Sequence, residues 1–296
     1  MEWQTDKRMG TLFGGMIIAA LLLFDVGVVL YLRTRPINLL TFLGGLWVVV
    51  SLPILAGVVY RLFNLRRSGY ALDRNQLTVF WGATRHVIPM RLIEQIVPGE
   101  EVSGRIRFSG GRWPGLWVGH ADVPEIGLTL FNATAPIEQQ LIVVTNMAAY
   151  AISPIDRQGF VEAVQTRKAM GPTQDVLQES LKPKLFDWPL WTDRLARVLL
   201  LGAAALCAGL FAYVCLKYAG LPSRIPLHFN AAGIPDRLAA PVEVFILPVI
   251  GLLAVAGNLV AGVPIYLHER LAAYLLWSGA ILVQGLLWVA AVTLLV

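Results

Sequence analysis

The chain has 296 residues, 56% of them hydrophobic and 15% charged, with a mean hydropathy of +0.64. Soluble globular proteins carry about 45–50% apolar and about 25% charged residues. The composition therefore excludes an ordinary soluble enzyme and a disordered chain, and it points to an integral membrane protein. The net charge of +5 comes from basic residues that flank apolar runs. That is a pattern of membrane orientation, and without a basic block interleaved with aromatics no nucleic-acid partner is expected.

A spanning helix needs about 20 mostly apolar residues. In chain order such runs are Thr11–Leu32, Leu39–Tyr60, Val198–Leu216, Val244–Leu267 and Leu271–Val296. The first is too long for a signal-peptide core and has no small-residue cleavage site after it, so it is expected to remain as a span. Asp25 lies deep in this run, where a charge costs roughly 3 kcal/mol unless paired, protonated or wet. Two roles are open to it: a proton or ion site, or a protonated carboxyl bonded to a neighbouring helix. Asn258 and Gln284, in the fourth and fifth runs, are candidate partners. Pro53, Pro248 and Pro264 are expected to bend or end their helices.

The predicted domain order is two spans within 1–62 (11–32 and 39–60), a polar domain over 63–170, a linker and interfacial segment over 171–194, and three spans within 195–296 (198–216, 244–267 and 271–296), with a loop at 217–243. With the N-terminus inside, the inner flanks hold Lys7, Arg8, Arg61, Arg66, Arg67, Lys182, Lys184, Arg194, Arg197 and Arg270. The outer flanks hold Arg33, Arg35, Lys217, Arg224 and Arg237. This excess predicts a plasma (bacterial inner) membrane protein with its N-terminus and polar domain in the cytoplasm and the 217–243 loop outside. Phe186, Trp188 and Trp191 fit an interfacial aromatic belt at the inner headgroup layer.

From residue 69 the helical period gives way to short β-rich runs. Strands are expected near Tyr70–Asp73, Leu77–Trp81, Arg85–Pro89, Glu94–Val97 or Arg105–Phe108, Leu128–Phe131, Leu141–Thr145 and Ala149–Ser153. Arg74-Asn75-Gln76 suits a hairpin connection. Ser153 is expected to cap a helix with Pro154 in its first turn, Phe160, Val161 and Val164 forming its apolar stripe and Gly171-Pro172 ending it. This order, with Ile88-Pro89, Ile93, Ile96, Leu141–Thr145, Tyr150–Pro154 and Phe160 in place, resembles the membrane-associated bacterial pleckstrin-homology-like domains. The resemblance covers roughly residues 63–170. It implies a seven-strand barrel with a C-terminal helix, inserted into a multi-pass α-helical membrane protein, and a binding or assembly role without catalysis. Arg105, Arg107 and Arg112 surround a Gly-rich loop and are candidates for contact with an anionic lipid surface; a solvated edge hairpin is the alternative. Trp113 and Trp117 bear on the same choice, as interface residues or as core.

The loop between the third and fourth runs carries Ile225-Pro226, His228-Phe229-Asn230, Gly233 and Pro235-Asp236-Arg237. These residues resemble the signature, HFNxxGxPD, of an uncharacterised multi-pass bacterial membrane family that includes toxin-immunity proteins. Pro226 and Pro235 stiffen the loop, Gly233 permits a tight turn, and Asn230 and Asp236 can bond backbone groups. His228, Asn230, Gly233, Asp236 and Arg237 are candidates for ligand or partner contact at the outer surface; a structural loop lock is the alternative. One histidine among them gives no selective metal set. Cys207 and Cys215 stand about 12 Å apart along a helix, too far for a disulfide. No nucleophile constellation, phosphate loop, dinucleotide fingerprint or cofactor motif is present.

The sequence thus predicts a non-enzymatic membrane sensor, scaffold or complex subunit, without cofactor. Its expected partners are membrane lipid and a membrane protein or peptide, met through the polar domain and the outer loop. The alternative is an immunity-type receptor or transporter-like protein that uses Asp25 and the His-Phe-Asn loop; five spans without paired broken helices weigh against transport.

Overall fold

In the computed structural model the described residues are 1–102, 106–181, 189–229 and 235–295. The chain divides into two compact units, residues 1–24 with 51–187 and residues 25–50 with 188–296. Five helices are long and apolar enough to cross a membrane, in the runs predicted but with shifted ends. They are α1 (Arg8–Leu32), α2 (Leu39–Arg66), α4 (Arg194–Tyr218), α5 (Ile246–Tyr266) and α6 (Arg270–Leu295). Pro53 does not end α2, which continues past Tyr60 to Arg66. Pro248 sits in the first turn of α5, where its missing N–H has no helical partner to lose.

The first unit is built on two sheets. One has the order β1-β2-β3-β4-β11, formed by Glu2–Trp3, Ser68–Leu72, Gln76–Trp81, Thr84–Pro89 and Glu179–Leu181. The other has the order β5-β9-β10-β8-β7-β6, formed by Ile93–Pro98, Leu141–Thr145, Ala149–Ile152, Gly127–Ala133, Leu116–Val123 and Arg107–Trp113. The expected seven-strand closed barrel is corrected here. The strands are more numerous, and no ladder among the described residues joins the two sheets around a ring. Two strands came from outside the polar run: β1 precedes the first span, and β11 lies in the segment taken for a linker.

The packing explains the strand sequences. Leu141–Thr145 and Ala149–Ile152 are buried on both faces, so they read as continuous apolar runs instead of alternating ones. On one face, Leu77, Val79, Ile88, Val143 and Ile152 pack with Phe160 and Val164 of α3 (Arg157–Met170). On the other, Phe131, Ile142, Val144 and Ala151 pack with Trp117. The cap of α3 is Asp156, whose Oδ1 accepts from the Gly159 N–H at 2.9 Å. Ser153 does not cap it. Its hydroxyl accepts instead from the Thr134 N–H at 2.7 Å, and its own N–H donates to the Tyr70 hydroxyl at 2.8 Å. Tertiary partners thus outcompeted the local cap. Gly171, at φ +69°, ends the helix as predicted. The hairpin turn begins one residue earlier than expected, because Asp73 Oδ1 accepts from the N–H groups of Asn75 and Gln76.

In the second unit α4, α5 and α6 pack through small residues, as membrane helices do. A Cβ on Gly262 would meet the Trp277 indole nitrogen at 2.2 Å, and one on Gly251 would meet the Gln284 amide. Buried Ala273, Ala280 and Ala291 line the same helix as Trp277.

Candidate interface site

Within the first unit the tip of the β6–β7 hairpin rests on the start of α1. The Trp113 indole N–H donates to the Gly10 carbonyl at 3.3 Å. Gly115, at φ +81°, lies so close that a Cβ there would stand 2.1 Å from the Gly10 nitrogen. Only glycine satisfies both the positive φ and this contact. Leu65 of α2, Trp81 and Leu116 form a fully buried cluster beside it. The sheet is thereby fixed to the ends of two spans by backbone-level contact.

Next to this contact lies a hollow of about 760 Å³, lined among others by Asp6, Met9, Arg112, Trp113, Trp117 and Gln139. Arg112 stacks over the Trp117 ring at 3.9 Å, a cation–π contact, and makes no ion pair among the described residues. Trp117 is buried and packs edge-on against Phe108, so it is core, while Trp113 is half-exposed at the hairpin tip. The Lys7 amine donates to the Arg66 carbonyl at 3.0 Å, and partial burial lowers its pKa below the usual lysine value.

The predicted arginine cluster does not assemble as a set. Arg107 and Arg112 are five residues apart on β6, so strand alternation sends them to opposite faces. Arg107 stands opposite Asp122 in the ladder. Arg105 lies outside the described residues, as do Lys182, Lys184, Phe186 and Trp188 of the expected interfacial segment.

The His-Phe-Asn motif forms a hairpin of its own, β12 (Ile225–Phe229) with β13 (Pro235–Ala239), in which His228 pairs with Arg237 by register and Phe229 with Pro235. It was expected as a loop stiffened by Pro226 and Pro235. In a two-stranded ribbon every strand is an edge, so both prolines are tolerated. Asp236 lies within β13, and Asn230 and Gly233 lie outside the described residues. Ile225 anchors the base among Val214, Val244 and Leu295.

Asp25 accepts from the Trp47 indole N–H at 2.9 Å and is 8% exposed. Asn258 and Gln284 are not positioned as its expected partners: the Asn258 amide donates to the Ala254 carbonyl of its own helix at 2.7 Å, and the Gln284 amide to the Gly251 carbonyl at 2.7 Å. A helical amide four residues after a carbonyl reaches it more readily than a distant carboxyl.

A polar group not anticipated from the sequence stands at the start of α4. Asp193 caps the helix through the Ala196 N–H at 3.0 Å, and its other oxygen accepts from the Tyr266 hydroxyl at 2.7 Å and from the Tyr274 hydroxyl. The Tyr274 bond, the helix N–H and the Tyr266 bond hold the Asp193 carboxyl at a pKa of about 2. Arg270 lies over the Tyr266 ring at 5.6 Å, and Trp277 stacks against the same ring. The detectable signal was an Asp just before an apolar run, a helix-start mark; the tyrosines that bind it lie more than seventy residues on.

Residues 68–168 match the family model of a bacterial PH domain. Residues 205–252, which include the β12–β13 hairpin, match a domain of unknown function, DUF1648. No curated protein and no solved structure matches the chain. The chain is accordingly a membrane protein with five candidate spans that carries a bacterial PH-like domain over residues 68–168.

Proposed function

We propose that the protein is a non-enzymatic membrane-embedded docking protein whose PH-like domain receives a protein or peptide partner in the hollow beside Arg112. The observation that carries this is an unpaired, tryptophan-stacked arginine at the rim of a hollow of about 760 Å³. Arginine and aromatic side chains are the residues enriched at binding hot spots. The helix ends hold the domain rigidly, so docking there is coupled to the membrane spans. The domain and N-terminus lie on the cytoplasmic side, supported by the basic residues at the ends of the spans, and the β12–β13 hairpin lies outside, available to an envelope ligand.

A photocrosslinking residue placed at Gln139 in the full chain tests this in cells. A discrete protein adduct is expected, and Arg112→Glu should abolish it while the protein stays in the membrane. Absence of any protein adduct at Gln139 would reject the docking role. Protease added to intact spheroplasts is expected to cut the outer hairpin and spare the β-domain. The Asp25–Trp47 bond favours a structural role for Asp25 over a place on a transport or receptor path.

A further inference from the structure

Another hollow in the first unit, of about 570 Å³, opens at the foot of α2. Its wall is the last turns of that helix, with Gly57, Arg61 and Asn64; its floor is β6 and β7, where Gly110 pairs with Gly119 and Gly111 with Val118. Three glycines leave the sheet without side chains on this floor. Arg61 lies directly on it: a Cβ on Gly111 would meet the guanidinium carbon at 2.7 Å. The Trp113 ring is 5.9 Å from the same carbon.

Arg61 is the first charged residue after the apolar run Leu39–Tyr60, so it sits where hydrocarbon gives way to headgroups. It makes no ion pair among the described residues. Its guanidinium lies against glycine backbone and near an indole, with its planar fork of donors available to a phosphate. Asn64 is buried, and its Oδ1, an acceptor, stands against Gly82 and takes no part in holding a phosphate. His120, at the rim, makes no hydrogen bond there. Gly57, one turn before Arg61, faces open space, with nothing within 4 Å of a Cβ. The hollow therefore combines a cation, a polar rim and the apolar face of α2.

We propose that this hollow binds the headgroup of an anionic membrane phospholipid. Its phosphate sits on Arg61, and its first methylenes lie along the Gly57 face of α2. A free phosphate or nucleotide would share the contact with Arg61 but has no tail for the Gly57 face. The site rests on α2 spanning the bilayer and is independent of the partner proposed for the Arg112 hollow.

Delipidated full-length protein in mild detergent, titrated with phosphatidylglycerol or phosphatidylcholine and followed by native mass spectrometry, tests this. Phosphatidylglycerol is expected to bind at one tight site roughly tenfold above phosphatidylcholine, because both carry a phosphate but the choline ammonium of the latter is repelled by Arg61. Arg61→Gln should remove that preference. Gly57→Leu, at a position where a Cβ meets no atom within 4 Å, should reach into the hollow and weaken binding by a similar factor. Gly45→Leu, equally open but away from the hollow, should leave binding unchanged. Equal binding of the two lipids, or wild-type binding in Gly57→Leu, overturns the proposal. So does displacement of the lipid by inorganic phosphate, which would assign the hollow to a free anion.

Discussion

Replacing Tyr70 with phenylalanine isolates one hydroxyl at the centre of the β-domain. The side chain is 1% exposed; its hydroxyl donates to the Asn132 carbonyl at 2.9 Å and accepts from the Ser153 N–H at 2.8 Å. Phenylalanine keeps the ring against Phe160 and removes only these bonds. The buried Ser153 N–H then loses its acceptor, at a cost of about 1–3 kcal/mol. With a urea slope of about 2 kcal/mol per molar, the midpoint should fall by roughly 1 M. Pulse proteolysis of the full chain in detergent across a urea series reads this transition for the β-domain. The wild-type protein should also respond to alkali, because burial pushes the Tyr70 phenol up to about 12 from 10.0. A neutral phenol favours the folded state, so its contribution is complete below pH 10 and is lost as pH rises toward 12. Tyr70→Phe should lack that component. A urea midpoint within about 0.2 M of wild type would refute the assignment of Tyr70 as the link between β2 and the ends of β8 and β10.

Asp25→Asn retains an acceptor for the Trp47 indole and should unfold near the wild-type temperature in detergent. Asp25→Leu should lose roughly 0.6–1.7 kcal/mol, and equal melting of the two variants would disprove the bond's importance. Gly262→Leu drives a side chain into Trp277 and should cost about 1–3 kcal/mol by overpacking, seen as a lower melting temperature; an unchanged value would mean that α5 and α6 are not held at this contact. The Asp193 carboxyl, depressed from 3.8 to about 2, contributes stability that is present above pH 3.8 and lost as pH falls through about 2. The melting temperature should therefore drop across that window, and the double variant Tyr266→Phe, Tyr274→Phe should flatten the drop.

Local chemistry alone determined much of this protein. Twenty-residue apolar runs have one stable solution in a bilayer, since a helix satisfies every backbone group within itself, so all five helices were legible. The β-rich character of residues 68–152 was also legible, because β-branched runs and turn residues act over a few positions. Whether the strands closed a ring was not, nor that Glu2–Trp3 and Glu179–Leu181 join the sheet. Such pairings bring residues more than sixty positions apart together, and segments of two and three residues carry no periodic mark. Side-chain destinations were least legible. Asp25 found Trp47 and not Asn258 or Gln284, Arg107 and Arg112 faced apart, and Asp193 found Tyr266 and Tyr274. A polar side chain in a low-dielectric interior takes whichever partner the packing brings within hydrogen-bond reach. That choice belongs to the tertiary structure, and it alone placed Arg61 over bare glycine backbone.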